Sequence, residues 1–551
     1  MTALTHAAPV LRGGRTTDTA LAGTGTLIRF VLRRDRVRIP AWIVALVLTT
    51  AASAASFPDL YPTAADRQAR AALLHDNPAG VAFSGPGYGL RDYTFGAMLS
   101  NELLWFLAIF AALMSVLLVV RHTRTEEETG RAELLRAAVV GRHAHLTAAI
   151  AVGSGANLAL GLLLALALGG SGVESLTWVG SVAFGAAVAA VGLVFTGVAA
   201  VAVQLTEHAR ASSGLAGAMI GVAFVLRAVG DIGNGVLSWL SPIGWAQATR
   251  AYVDERWWPL GLAVAVAAAL AAVAYALSTR RDVGAGMVAQ RPGPATASSV
   301  LGRPVGFALR LQRGGLIAWG VALFAFGAVY GSVVSAVQDF IRENEAARRA
   351  LASGGGASPL DSFLALIVGM LAMLCAIAAV QAVSRMRAEE AAGRLEPVLG
   401  TALSRTGWLA SHLTVTLVGT ACVLTASGLG LGLGAAVAGG DAELLGRILG
   451  ATLVRLPALW FTVGVAVALF GLVPRLVALA WVVPVYALVV GLLGGFLRFP
   501  DWMSDLSPFG RVPQLPGAEL TATPLVVLTV LAAALVTVGV AAFRARDVRT
   551  G

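Results

Sequence analysis

Apolar residues fall in long unbroken runs along this chain, and short polar, arginine-bearing segments separate the runs. A helix of about 20 residues crosses the hydrocarbon core of a bilayer. On that measure the pattern predicts twelve spans. Six lie near 37–57, 99–120, 146–170, 177–205, 214–237 and 259–279, and six near 315–337, 360–383, 409–437, 447–473, 477–497 and 523–543. The predicted fold class is an all-α polytopic membrane protein.

The polar segments divide the chain further. Residues 1–24 are rich in Thr, Gly and Ala and read as a disordered tail. From Thr26 to Arg38 the pattern is that of an amphipathic helix, with Arg29, Arg33 and Arg36 on one face and Leu27, Phe30 and Val31 on the other. Such a helix lies in the headgroup layer; the alternative is a merely basic flank of the first span. A signal peptide is a further reading of Arg33 to Ala54, with Ala52-Ser53-Ala54 as the cleavage site. Against it, Ala41-Trp42-Ile43-Val44-Ala45-Leu46 has a mid-chain sister, Ala318-Trp319-Gly320-Val321-Ala322-Leu323. Both are therefore read as retained first spans. The segment with Arg291-Pro292-Gly293-Pro294 reads as a linker followed by a second amphipathic helix. The expected organisation is a tail (1–24), a first six-span half (25–279), a linker (280–300) and a second six-span half (301–551).

The halves repeat one another. The motif Arg-x-Glu-Glu-x-x-Gly-Arg-x-Glu follows the second span of each, as Arg124, Glu126, Glu127, Gly130, Arg131 and Glu133, and again as Arg387, Glu389, Glu390, Gly393, Arg394 and Glu396. Leu240-Ser241-Pro242-Ile243-Gly244 matches Leu506-Ser507-Pro508-Phe509-Gly510 before each sixth span, and Arg281-Asp282-Val283 matches Arg546-Asp547-Val548 after it. Equal span counts and feature order predict two parallel repeats related by an axis along the membrane normal.

Composition sharpens the picture. Apolar residues make up 57% of the chain, charged residues 13%, and mean hydropathy is +0.78, as a polytopic membrane protein requires. All 40 basic residues are Arg, which with abundant Ala, Val, Gly and Leu points to a GC-rich, actinobacterial genome. A net charge of +10 does not signal nucleic acid here, because the arginines lie in short loops. With both termini inside, inner segments hold 26 Arg and outer loops 10, while Arg38, Arg227, Arg447 and Arg455 fall within spans. The asymmetry places both Glu-Glu motifs in the cytoplasm. Cys375 and Cys422 read as small buried apolar residues, and His143 and His145 as solvated interfacial ones.

No catalytic constellation stands out. Without Lys there is no Gly-x-x-x-x-Gly-Lys-Ser/Thr phosphate loop, and no polar stretch is long enough for a nucleotide-binding domain. Read as one helix, each Glu-Glu motif sets Glu126, Gly130 and Glu133, or Glu389, Gly393 and Glu396, on one face. The same helix pairs Glu127 with Arg131 and Glu390 with Arg394 at i, i+4. A helical Gly costs about 1 kcal/mol against Ala, so its recurrence suggests a surface approached by another molecule. The alternative is a solvated interfacial helix.

On these motifs the chain resembles type-2 ABC export permeases, in particular the fused twelve-span actinobacterial form associated with polyketide and tetronasin-like antibiotic export and multidrug efflux. The resemblance covers nearly everything from about residue 25. It implies that Glu126, Glu127, Gly130, Arg131 and Glu133 form one coupling helix, and Glu389, Glu390, Gly393, Arg394 and Glu396 the other. Each would insert into a separate ATP-binding subunit. Two such subunits would carry the ATP and Mg, and this chain would hold no cofactor. Leu134 in the first copy corresponds to Pro397 in the second, so the second helix is expected to end early. The Ser241, Pro242, Gly244 and Ser507, Pro508, Gly510 elements would form short re-entrant helices at the outer side; an ordinary loop is the alternative. Arg227 and Asp231, four apart in the fifth span, would either line the translocation path or pair near its outer end.

The reading is thus a permease in the bacterial plasma membrane with both termini cytoplasmic, exporting hydrophobic or amphipathic compounds. One rival is a proton-coupled twelve-span carrier, which would need a basic Gly-x-x-x-Asp-Arg-x-Gly-Arg-Arg-like loop and intramembrane carboxylates. A non-transporting scaffold is the other.

Overall fold

The computed structural model describes residues 20–75, 80–81, 84–131, 140–281, 284–288, 295–332, 334–335, 338, 358–439, 442–497 and 500–547. Among these residues the chain is helical without strands, and twelve helices are long and apolar enough to cross a membrane. The protein is an all-α polytopic membrane protein. Its chain divides into two compact units, Met1–Pro292 and Gly293–Gly551.

In the first unit an eleven-residue helix, Thr24–Arg34, buries Leu27 and Val31 and leaves Phe30 exposed. It ends at a short turn, and the first span runs Arg38–Leu60. The second span begins at Phe95, where Thr94 caps it by accepting from the Ala97 N–H at 3.2 Å. The third and fourth spans, Ala144–Gly169 and Trp178–Leu205, cross backbone to backbone: a Cβ on Gly161 or Gly185 would strike the other's carbonyl. Helices in lipid associate through such small-residue contacts, since apolar burial alone gives no drive there. The fourth span packs on the second, third and sixth and forms the centre of the unit. A buried polar link joins three of these helices. Asn157 donates to Ser115 Oγ at 2.8 Å, and Ser115 donates to the Gly192 carbonyl at 2.9 Å.

The second unit differs in three places. Instead of a separate amphipathic helix before the seventh span, one helix runs Pro304–Ser332. No counterpart of the Asp35–Val37 turn interrupts it, so the expected second elbow is fused to the span. The tenth span is broken, with Glu443–Leu453 followed by Leu456–Leu472. Pro457 lacks an N–H and fits only the first turn of the second piece. The eleventh opens as a 3-10 helix, Pro474–Trp481, before Val482–Leu497. Cys375 is buried as expected, but Cys422 is exposed on the ninth span.

Candidate functional site

The second span closes at Arg121, and after a two-residue break a short helix, Arg124–Glu128, follows. Its three consecutive glutamates go to three different elements. Glu126, 3% exposed, pairs with Arg34 at the end of the amphipathic helix. Glu127 takes Arg281, just past the sixth span, in a fork: Nη2–Oε1 is 2.7 Å and Nη1–Oε2 is 3.0 Å. Arg124, wholly buried, meets the same carboxylate at 2.6 Å and donates to the Ala285 carbonyl at 2.9 Å. Glu128 accepts from the Ala209 N–H at 2.7 Å, at the start of the fifth span. A carboxylate there satisfies a free helix N–H and suits the positive end of the helix dipole.

The second copy repeats part of this. The eighth span runs unbroken to Ala391. Glu390, 1% exposed, is gripped by Arg546 past the twelfth span, with Nη1–Oε1 at 2.6 Å and Nη2–Oε2 at 2.9 Å. Arg387 stands 3.2 Å from the same carboxylate, as Arg124 stands by Glu127. The Arg546 guanidinium lies over Phe543 and Phe470, 5.0 and 5.2 Å from their centroids. Glu389 turns to Arg394 within its own loop at 3.0 Å. Position 391 is Ala, so nothing answers to Glu128. The recurring unit is therefore a clasp. The Glu-Glu motif and the Arg-Asp-Val motif, separate repeats in the sequence, hold each other in both halves.

Three expectations change. Gly130 and Gly393 both have φ of +70°, with open space where a Cβ would stand. They end their helices as left-handed turn residues, and the positive φ by itself accounts for glycine at both positions. The motif is thus no continuous helix. Glu127 is held by Arg124 and Arg281 instead of Arg131, and Glu390 by Arg387 and Arg546 instead of Arg394. Third, Glu126, Glu127 and Glu390 are inward-facing anchors, while Glu128, Arg131, Arg394 and Glu396 are exposed. Glu133 lies outside the described residues. Past Gly393 a five-residue helix resumes over Leu395–Leu399 with Pro397 in its first turn, while Leu134, the first-copy counterpart of Pro397, lies outside the described residues. Nor are the histidines simply solvated. His145 bonds the His122 carbonyl, and the His143 ring packs edge-on against Tyr275 at 5.5 Å.

The Ser-Pro-x-Gly elements sit at the other end of each unit's fifth span. In the first, a 3-10 helix Leu237–Leu240 meets a helix Pro242–Gln247, and Ser241 Oγ caps the latter by accepting from the Ile243 N–H at 3.2 Å. The same hydroxyl donates to the Ala223 carbonyl at 2.7 Å. In the second unit a helix Asp501–Leu506 precedes Ser507, and Pro508 to Gly510 form turns. Gly244 and Gly510 share one constraint, since a Cβ on either would collide with the carbonyl of Ser238 or Ser504, six residues earlier. Ser241 and Ser507 are buried, whereas Asn234 and Ser504 are exposed. Tyr252, in the same first-unit segment, donates to Ser181 Oγ at 3.0 Å, and burial pushes its phenol pKa up.

Arg227 and Asp231 do meet, at 3.5 Å, in a buried pair. Ser238 Oγ donates to Asp231 at 2.5 Å and to the Arg227 carbonyl at 3.2 Å, and the Phe224 ring stands 4.8 Å from the guanidinium. The pair thus braces the Ser-Pro-x-Gly segment against the last turns of the fifth span. Arg455 has a parallel place in the second unit. Wholly buried at the break in the tenth span, it donates to the Ala365 carbonyl and to Gln514 Oε1, both at 3.2 Å. Among the described residues no group of three His, Cys, Asp or Glu could hold a metal ion.

The comparisons with known proteins bear on both units. A family described as "Multidrug efflux system permease Rv1217c, C-terminal domain" matches residues 25–277 and 301–544. The chain belongs to this family. It is also 44% identical over 533 residues to the "Multidrug efflux system permease protein Rv1217c" of Mycobacterium tuberculosis (strain ATCC 25618 / H37Rv), covering 96% of this chain and 95% of that one. The protein is accordingly a multi-pass membrane permease of a multidrug-efflux family. Sequence reading named the glutamates but missed Arg34, Arg281 and Arg546 as their partners. The signal for two of the three was present, in the repeated Arg-Asp-Val.

Proposed function

We propose that the chain is the permease subunit of an ATP-driven ABC exporter, in a bacterial plasma membrane with both termini cytoplasmic. Two copies of a separate ATP-binding subunit, carrying ATP and Mg, dock one at each Glu-Glu loop. The observation that carries this reading is the recurring clasp, Glu127–Arg281 and Glu390–Arg546. It ties an exposed loop tip to the end of a sixth span in both units, so force applied at the tip reaches a membrane helix directly. The docking surface is formed by Glu128, Arg131, Arg394 and Glu396, and the buried glutamates fix its position. At the opposite end the Ser-Pro-x-Gly elements cap the exit. The cargo is a hydrophobic or amphipathic drug-like compound, in keeping with the efflux role in the name of the Mycobacterium tuberculosis relative.

Native mass spectrometry of the gently extracted complex tests the assembly. Two ATP-binding copies per permease are expected. A stable complex with one copy, or a permease that transports alone on a proton gradient, would overturn the reading.

A further inference from the structure

A cavity of about 610 Å³ opens in the first unit beside the Glu-Glu loop. It lies between the starts of the first and fifth spans and the end of the second. Arg38, Arg121 and Arg210 stand on its wall with one carboxylate, Asp35. Asp35 is already engaged: Arg121 is 3.3 Å from it and His122 2.5 Å. The side chains of Arg38 and Arg210 are exposed and have no hydrogen bond or ion pair among the described residues. Apart from Thr125 and Ser213 the rest of the wall is apolar and includes Trp42, Met114 and Leu117. Its volume is that of a site for a molecule, well beyond a single ion.

Three of the four charges on this wall have no counterpart in the second unit; Arg210 corresponds to Arg475 at the start of the eleventh span. In register with Trp319, Asp35 and Arg38 correspond to Gln312 and Gly315, and in register with the second Glu-Glu motif Arg121 corresponds to Ser384. At these three positions the second unit carries no charge. Arg38 and Arg121 also stand at the ends of spans, where arginines reach the headgroup layer. Two unneutralised guanidinium groups above an apolar wall suit an amphiphile with an anionic head.

We propose that this cavity binds one anionic phospholipid, its headgroup phosphate at Arg38 and Arg210 and its acyl chain along Trp42, Met114 and Leu117. The proposal is independent of the energy source for transport. Occupancy would wedge the first, second and fifth spans at a fixed spacing around the loop that Glu126 and Glu128 moor.

The full chain, purified in mild detergent from membranes and exchanged into bilayers of phosphatidylcholine containing phosphatidylglycerol, provides the test. Native mass spectrometry should show one retained phosphatidylglycerol. Basic residues near a membrane surface each contribute about fivefold in affinity for anionic lipid, so Arg38→Gln with Arg210→Gln should cut retention about 25-fold. Arg36→Gln, exposed and outside the cavity wall, should leave it unchanged. Leu117→Trp fills the apolar side without altering charge and should also expel the lipid; it serves if the double variant does not fold. Retention of phosphatidylcholine equal to phosphatidylglycerol, or an unchanged lipid count in both cavity variants, would overturn the proposal. Displacement by inorganic phosphate at equal concentration would mark a free-anion site and would overturn the lipid assignment.

Discussion

The Glu390 carboxylate lies edge to edge with the Arg546 guanidinium, at 2.6 and 2.9 Å, and Glu390 has no solvent exposure at its side chain. This pair joins residues 156 positions apart. Removing one member of a buried ion pair strands the other and costs about 3–5 kcal/mol. Arg546→Gln should therefore lower the unfolding midpoint markedly in detergent. Arg546→Lys should be intermediate, because an ammonium keeps the charge but cannot fork. A wild-type midpoint for Arg546→Gln would show that the clasp is not structural.

The first clasp should behave as a coupled pair. Glu127→Gln and Arg281→Gln each break the same fork, so the double variant should be less destabilised than the sum of the singles. A coupling energy of about 1–3 kcal/mol is expected from a double-mutant cycle. Strict additivity in chemical unfolding would contradict the observed geometry.

Loop-tip and anchor substitutions should separate. Arg131→Glu and Arg394→Glu change exposed side chains and should shift stability by no more than about 0.5 kcal/mol, while weakening association with the ATP-binding subunit. Glu126→Lys places a second cation against Arg34 in a buried setting and should instead destabilise the permease itself. Parallel thermal unfolding and pull-down measurements distinguish the two classes. Full assembly of both tip variants would remove the docking role from these residues.

Gly244→Ala and Gly510→Ala each drive a methyl into a backbone carbonyl. Overpacking of this kind costs about 1–3 kcal/mol, so both should lower the unfolding midpoint. Labelling with an impermeant thiol reagent adds a topological check. Asn234→Cys and Ser504→Cys should react from outside intact cells, and Ser241→Cys should not. Reaction of the first two only after the cells are opened would reverse the proposed orientation.

The spans were legible because lipid imposes a length and a composition on any helix that crosses it. The helix breaks were less so. Pro457 and Pro474 are plain in the sequence, yet whether a proline kinks, breaks or starts a helix depends on its neighbours. The Glu-Glu motifs were visible as a repeat, but helical periodicity supplied the wrong partners. Local i, i+4 pairs are the only ones a sequence presents directly. The actual partners, Arg34, Arg281 and Arg546, lie 92, 154 and 156 residues from their glutamates. Gly130 and Gly393 posed the same problem in reverse. A glycine in a helical pattern reads as packing or as a turn, and only the positive φ decides.

The first Glu-Glu loop is moored at the amphipathic helix, the fifth span and the sixth span through Glu126, Glu128 and Glu127. In the second loop Glu390 reaches Arg546, Glu389 bonds within the loop, and Ala391 has nothing to offer. Two identical motors pressing on these loops would work against unequal stiffness. The first stroke would carry three helices together, the second mainly the twelfth span. One gene duplication has thus left a symmetric pair of handles on an asymmetric machine, in which the order of ATP turnover at the two sides would not be interchangeable.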